Sequence, residues 1–222
     1  MKRPLLFIFI LTMIVFSANR ASADPFDMAL GGKAGTPGLG LELTIRLLES
    51  LNTRVGFNAF TYGYDFEVDD FNYDADLNLF TAMLLGDWHA FGNDFRFTGG
   101  IVLNENEIDA VGTTDQDLVV INDNGYRAAD VGDLKTTISF NNFAPYFGIG
   151  WGNAVGDNYF NFSLDLGVIL SGAPNATLTA NGPLASDPDF QRDLAAEADE
   201  VEEEGENFDI YPVLALGLNF QF

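Results

Sequence analysis

Every second residue from Leu39 to Leu47 is apolar. Leu39, Leu41, Leu43, Ile45 and Leu47 fall on one side of an extended chain, and Gly40, Glu42, Thr44 and Arg46 fall on the other. The same alternation runs through 95–104, 143–152, 160–170 and 214–222. A period of two marks a strand with two unlike faces. It excludes amphipathic helices, whose apolar positions recur every three to four residues. The chain is therefore expected to be all-β.

Alternation also suits a water-soluble sandwich, which buries its apolar face. Three features point to the opposite sense, with the apolar face outward. The alternating segments reach ~10 residues, the length a tilted strand needs to cross a bilayer. The second face is rich in glycine and charge, including Glu42, Arg46, Arg96 and Asp165. Small residues and ions that pair across the axis suit a narrow barrel interior. Aromatic residues gather toward segment ends: Phe60, Tyr62, Tyr64 and Phe66; Trp88 and Phe91; Trp151 and Tyr159. These are read as girdles at the membrane–water boundaries. Strands can cross lipid only in a closed barrel, because an open edge leaves backbone groups unpaired in hydrocarbon. The predicted fold is an antiparallel transmembrane up-and-down β-barrel.

The first 23 residues read as a secretory signal peptide. Lys2 and Arg3 precede an apolar run from Leu5 to Phe16, and Ala21-Ser22-Ala23 supplies the small-x-small cleavage pattern. The run is too short to span a bilayer, which needs ~20 apolar residues. Residues 24–222 then form one barrel domain. The chain has 33 acidic and 10 basic residues, a formal charge of −23. So acidic a chain does not hold a phosphate backbone, which excludes nucleic acid as a partner. With no cysteine and one histidine, disulfides, thiol catalysis and conventional zinc sites are excluded too. No cofactor is expected.

The C-terminal segment 209–222 is taken to end on the periplasmic side. Working back, strands are expected at 38–47, 53–66, 73–88, 95–108, 136–152, 159–172 and 209–222. Bacterial barrels have even strand counts, so a short first strand at 27–34 makes eight, turned at Gly35-Thr36-Pro37-Gly38. Short turns at 49–52, 89–94 and 152–158 fall on the periplasmic side. Long polar loops near 69–72, at 109–134 and at 182–207 fall outside. In the last loop, Ser186 or Asp187 before Pro188 can cap a helix, with Phe190, Leu194 and Val201 as sparse apolar anchors. Glu197–Glu206 is a charge run, so this loop is expected to be acidic and partly helical. It is either a solvated face or a recognition element.

Several segments carry a resemblance. They are Gly32-Lys33-Ala34-Gly35-Thr36 running into Gly38-Leu39-Gly40-Leu41-Glu42-Leu43, then Asp87-Trp88-His89, Phe91-Gly92 and Phe95-Arg96, then Ala144 to Asn153. The chain resembles the small eight-stranded outer-membrane barrels of Gram-negative bacteria, and more narrowly an uncharacterised family of them. Members often carry Pro after the Trp-His pair, where this chain has Ala90. The resemblance implies a fold and a location in the bacterial outer membrane, and it transfers no catalytic residues. The terminal aromatics Phe220 and Phe222 resemble the assembly signal of such barrels, which implies the barrel assembly machinery as a partner during insertion.

The inward charges set the functional reading. Glu42 and Arg46 share a strand face, and Arg96 and Asp165 are expected to join them in a lumen network, with Arg54 and Asp76 as further candidates. Buried ions must pair, and an eight-stranded interior is just wide enough for side chains to fill. The expected function is a structural or interaction barrel with a largely plugged lumen and acidic outer loops. The alternative is a small pore or carrier for a hydrophobic or small polar solute, which the inward glycines favour. A lipid-modifying enzyme is not expected. His89 falls at a periplasmic turn beside Trp88, with no nucleophile to serve. Outer-membrane lipids and lipopolysaccharide are expected partners. Divalent cations are a further expectation at the oxygen-rich loops 67–70, 104–109, 115–117 and 122–125, none of which has full EF-hand spacing.

Overall fold

A computed structural model describes residues 27–68, 71–156, 158–205 and 208–222. The expected signal peptide lies outside the described residues. In chain order the strands are β1 (Met28–Gly35), β2 (Gly38–Leu48), β3 (Leu51–Val68), β4 (Phe71–Trp88), β5 (Phe95–Asn104), β6 (Glu107–Thr113), β7 (Leu118–Ile121), β8 (Asn124–Arg127), β9 (Leu134–Ser139), β10 (Phe143–Trp151), β11 (Phe160–Leu170), β12 (Asn175–Ala180) and β13 (Ile210–Gln221). One helical turn, α1 (Ala128–Val131), follows β8, and a longer helix, α2 (Pro188–Gly205), precedes β13.

Eight strands close an antiparallel ring in the order β1-β2-β3-β4-β5-β10-β11-β13, with β13 returning to β1. The short first strand makes that closure. Its residues pair from Ala29↔Gln221 to Gly35↔Ala215 on one side and from Met28↔Ile45 to Gly35↔Gly38 on the other. The turns at 49–50, 89–94 and 152–158 gather at one end of the ring, called here the short-turn end.

Alternation sorts the ring's two faces. Leu39, Phe162 and Leu216 on the outer face are 66%, 79% and 64% exposed, whereas Glu42, Arg54, Asp87, Arg96 and Asp165 on the inner face are 5% exposed or less. A water-soluble fold sorts the same residues the other way. At the short-turn end the outer face carries a belt of rings. Trp88, Phe95, Phe97 and Trp151 meet at centroid distances of 5.1–6.0 Å, and Phe160 meets Phe220 at 5.3 Å.

Three expected features change. The strand at 95–108 divides into β5 and β6, and the strand at 136–152 divides into β9 and β10. β4 stays continuous and pairs with β5 through Thr81–Trp88, then with β6 through Asn72–Asn78. Between them Glu105 N–H donates to the Phe80 carbonyl, and Asn106 Oδ1 accepts from Phe80 N–H at 3.0 Å. At this break β4 changes partner from β5 to β6. The 109–134 segment is therefore not a plain loop: it holds most of β6, the β7–β8 hairpin and α1.

Past the break, β3, β4, β6, β9 and β12 continue as a sheet beyond one half of the ring. The third change lies here. Phe60, Tyr62, Tyr64 and Phe66 share the parity of the inward Arg54 and Asn58, because β3 pairs with β4 without a register shift from Leu51↔Trp88 to Val68↔Phe71. They line the axial face of the extended sheet and form no outer girdle. On the opposite face stand Asp65, Glu67, Asp74 and Asp76. Polarity thus inverts along β3 and β4: apolar outside the ring, acidic outside the extension.

The extension has its own core. Val119, Ile121, Val131, Leu134, Phe190 and Leu194 pack together, with Tyr73, Tyr126 and Leu178 against them. Asp187 caps α2, accepting from Asp189 N–H and Phe190 N–H at 2.9 and 3.0 Å, with Pro188 as the first helical residue. Asn122 and Asp123 (φ 47° and 59°) form the two-residue turn of the β7–β8 hairpin, as a type I′ turn requires. Asp193 on α2 then clamps that hairpin, accepting from Asn122 Nδ2, Asn124 Nδ2 and the Tyr126 hydroxyl. The oxygen-rich 122–125 segment serves this joint.

Candidate functional site

Six charged side chains from six ring strands meet inside the ring: Lys33 (β1), Glu42 (β2), Arg54 (β3), Asp87 (β4), Arg96 (β5) and Asp165 (β11). Each sits at an inward parity position. Lys33 Nζ reaches Glu42 at 2.9 Å and Asp165 at 2.7 Å. Arg54 donates through Nη1 and Nη2 to both Asp165 oxygens at 3.2 and 3.1 Å, and through Nη2 to Asp87 Oδ1 at 2.9 Å. Arg96 Nη2 reaches Asp165 Oδ1 at 2.7 Å. Three cations meet three anions, so the set is neutral. An unpaired buried ion costs several kcal/mol, and the neutral stoichiometry removes that cost.

Of the four residues expected in this network, Glu42, Arg96 and Asp165 lie in it and Arg46 does not. Arg46 shares their face but stands four residues below Glu42. Its Nη1 pairs with Asp27 at 2.5 Å, and its Nη2 donates to the Val155 carbonyl, both at the mouth of the short-turn end. Arg54 occupies the centre. Asp76 lies on the other face of β4, beyond the ring, opposite Asp109. Lys33 and Asp87 were missed. Lys33 lies on the faintest strand, and Asp87 reads as part of a turn motif with Trp88 and His89. The available signals were the two-residue turn at Thr36-Pro37, which sets Lys33 opposite Gly40, and the alternation of Asp87 with Trp88.

Further side chains pack inside the ring on either side of the ionic set. Toward the far end, Leu85, Val102, Ala144, Tyr146, Ile169 and Val213 form an apolar layer. Toward the short-turn end, Ala154 and Val155 of the 152–156 turn pack on Ala29. The inward glycines make room for this filling. A β-carbon at Gly150 would stand 2.7 Å from the Arg96 guanidinium carbon, and one at Gly148 would stand 2.7 Å from the Tyr146 hydroxyl. Large interior side chains stand in the space these glycines leave. A cavity of about 20 Å³ beside Lys33, Glu42, Arg54 and Asp165 remains. That is little more than one water requires.

His89 lies at the short-turn end beside Trp88, the turn expected for it, with its side chain buried inside the mouth. Its ring nitrogens lie 3.0 Å from the Asn93 carbonyl and 3.3 Å from Asn52 Nδ2. The Asn93 carbonyl can only accept, so Nδ1 donates to it, and the two contacts hold the ring in place. Among the described residues no group of three or more His, Asp or Glu is placed to hold a metal ion. The terminal Phe222 donates its N–H to the Met28 carbonyl at 3.0 Å and stacks on Phe220 at 6.5 Å, on the outer face.

No protein-family model matches the chain, and no curated protein is similar to it. Solved structures are. CarO2 of Acinetobacter baumannii superposes with a TM-score of 0.58 at 19% identity, over 89% of this chain and 99% of that one. CarO of the same organism gives 0.56 at 20% identity, over 91% and 100%. A major outer membrane protein of Thermus thermophilus gives 0.42 at 15%, over 88% and 98%. The chain shares its fold with the two Acinetobacter structures. At this identity the likeness extends to architecture and to no named activity.

Proposed function

We propose that this chain is an integral outer-membrane β-barrel of structural or interaction type, closed to solutes, that displays an ordered acidic cap outside the cell. The inside-out sorting of the ring carries the reading. An exposed belt of Leu, Ile, Phe and Trp surrounds a neutral ionic core, and only an apolar solvent makes that arrangement favourable. β2, with its 11 residues, rises along a tilted wall to on the order of 25–30 Å, the height of an outer-membrane apolar band. The polarity inversion on β3 and β4 marks the outer edge of that band. Segments 65–76, 105–135 and 187–209 hold 25 of the 33 acidic residues against Arg127, Lys135 and Arg192. The charge excess therefore lies where water and the divalent-bridged lipopolysaccharide surface are.

A pore needs a path, and the ionic set, the apolar layer and the 152–156 turn inside the ring support a closed interior. Planar-bilayer recording on the folded chain, confirmed by a heat-modifiable band on a gel, tests this. Closed behaviour is expected. Reproducible unitary steps would overturn the closed reading and leave the barrel reading standing; the absence of heat-modifiability would overturn the barrel reading itself.

A further inference from the structure

The cap sheet has two edges, and they are treated differently. β12 forms one edge, and α2 covers it: Glu202 Oε1 accepts from Ala176 N–H at 2.8 Å. β3 forms the other. Its pairing with β2 ends at Leu39↔Ala59, because β2 begins at the turn glycine Gly38 (φ +102°). Among the described residues no strand pairs with β3 from Phe60 to Glu67 on the side away from β4. Natural proteins blunt such edges with charged side chains, Lys above all, or with Pro, a bulge or a covering segment, and the charges here are the acidic Asp65 and Glu67. This stretch has no Lys and no Pro, and its register against β4 is unbroken.

The edge also carries a surface. Phe60, Tyr62, Tyr64 and Phe66 stack in sequence at centroid distances of 6.5, 6.2 and 5.5 Å, and Phe66 stacks on Tyr73 at 5.1 Å. The four rings from Phe60 to Phe66 remain 37–56% exposed. Asp65 and Glu67 project from the other face. A second copy of the chain would bring like charges together at this edge, which disfavours self-pairing. A strand of basic, alternating sequence meets both faces.

We propose that the open β3 edge takes up an extended cationic peptide segment, added as a strand to the cap sheet. Its apolar side chains lie against the Phe60–Phe66 ladder, and its Lys or Arg side chains lie beside Asp65 and Glu67. Backbone pairing supplies the adhesion and the two faces supply the selectivity. The site is separate from the ring interior and operates with the lumen closed.

The test uses the full folded chain in detergent and a fluorescent, amidated peptide alternating lysine with valine. Two control peptides replace alternate valines by proline or every lysine by glutamate. Anisotropy titrations are run on the native chain and on the Tyr62→Ser, Tyr64→Ser double variant, whose changed side chains are exposed and whose folding is checked by heat-modifiability. Saturable binding of the lysine peptide is expected, at least about tenfold weaker for the proline peptide and for the variant. The glutamate peptide is expected not to bind. Equal binding of the lysine and proline peptides, or an unaffected variant, would overturn the proposal in favour of diffuse attraction to acidic loops. Absence of lysine-peptide binding would overturn it outright.

Discussion

Arg54 and Asp165 stand 111 residues apart in sequence and face each other across the barrel axis, joined by two hydrogen bonds of 3.1 and 3.2 Å. Each is 3% exposed or less. This bidentate pair holds β3 to β11, two strands that are not neighbours in the ring, and the other four charges arrange around it.

Removing one charge should therefore cost more than removing a matched pair. Asp165→Asn leaves three cations facing two anions and is expected to lower stability by about 3–5 kcal/mol. Adding Lys33→Met restores neutrality and should recover part of the loss. Urea unfolding of the single and double variants in vesicles, read as a mutant cycle, checks this. Simple additivity would show that the six ions do not act as one set.

The joint between α2 and the β7–β8 hairpin should depend on pH at both ends of the scale. Hydrogen bonds from Tyr126, then Asn122 and Asn124, hold the Asp193 carboxylate below its ordinary value of 3.8. Its contribution is present above that value and is lost as pH falls through the lowered one. The same bond raises the Tyr126 hydroxyl above its ordinary value of 10.0, so that contribution is present below 10.0 and is lost as pH rises beyond it. Protection of α2 amides, taken relative to their intrinsic exchange rate at each pH, should be greatest between these limits, with protection of ring-strand amides unaffected. Equal protection of α2 in all three pH ranges would contradict the clamp.

Asp187→Ala removes the cap of α2, at a cost of about 1 kcal/mol. Faster proteolysis within 188–205 is expected, with the heat-modifiable ring intact. Unchanged cleavage would show that the buried Phe190 and Leu194 alone fix the helix.

Deleting Phe222 removes the last outer-face ring and the backbone bond to Met28, so barrel assembly should fail while export continues. Normal amounts of folded barrel in the outer-membrane fraction would contradict a role for this terminus.

Much of the ring was legible because period-two patterning is a local property. Leu39–Leu47 and Leu214–Phe222 state their own faces, and parity placed Glu42, Arg96 and Asp165 inside. Depth along the axis is not local. Arg46 has the right parity yet sits at the mouth, because four residues of a strand span most of the ionic layer's height. The ladder from Phe60 to Phe66 looked like a girdle because its parity was not carried forward from Arg54. The cap sheet was hidden for another reason. β12 reads Asn-Ala-Thr-Leu-Thr-Ala, small and half polar, and becomes a strand only by pairing with β9. The capping residue and apolar anchors of α2 were visible because a helix start is a local signal.

Leu216→Arg tests the account most directly. Leu216 lies midway along β13, on the outer face and 64% exposed. If lipid surrounds the ring, arginine there should destabilise the folded barrel in vesicles by about 2–4 kcal/mol, while Asp76→Arg, beyond the polarity inversion, should cost little. If Leu216→Arg shifts stability by no more than about 0.5 kcal/mol, as a water-exposed position would, the outer face does not meet a membrane and the account fails.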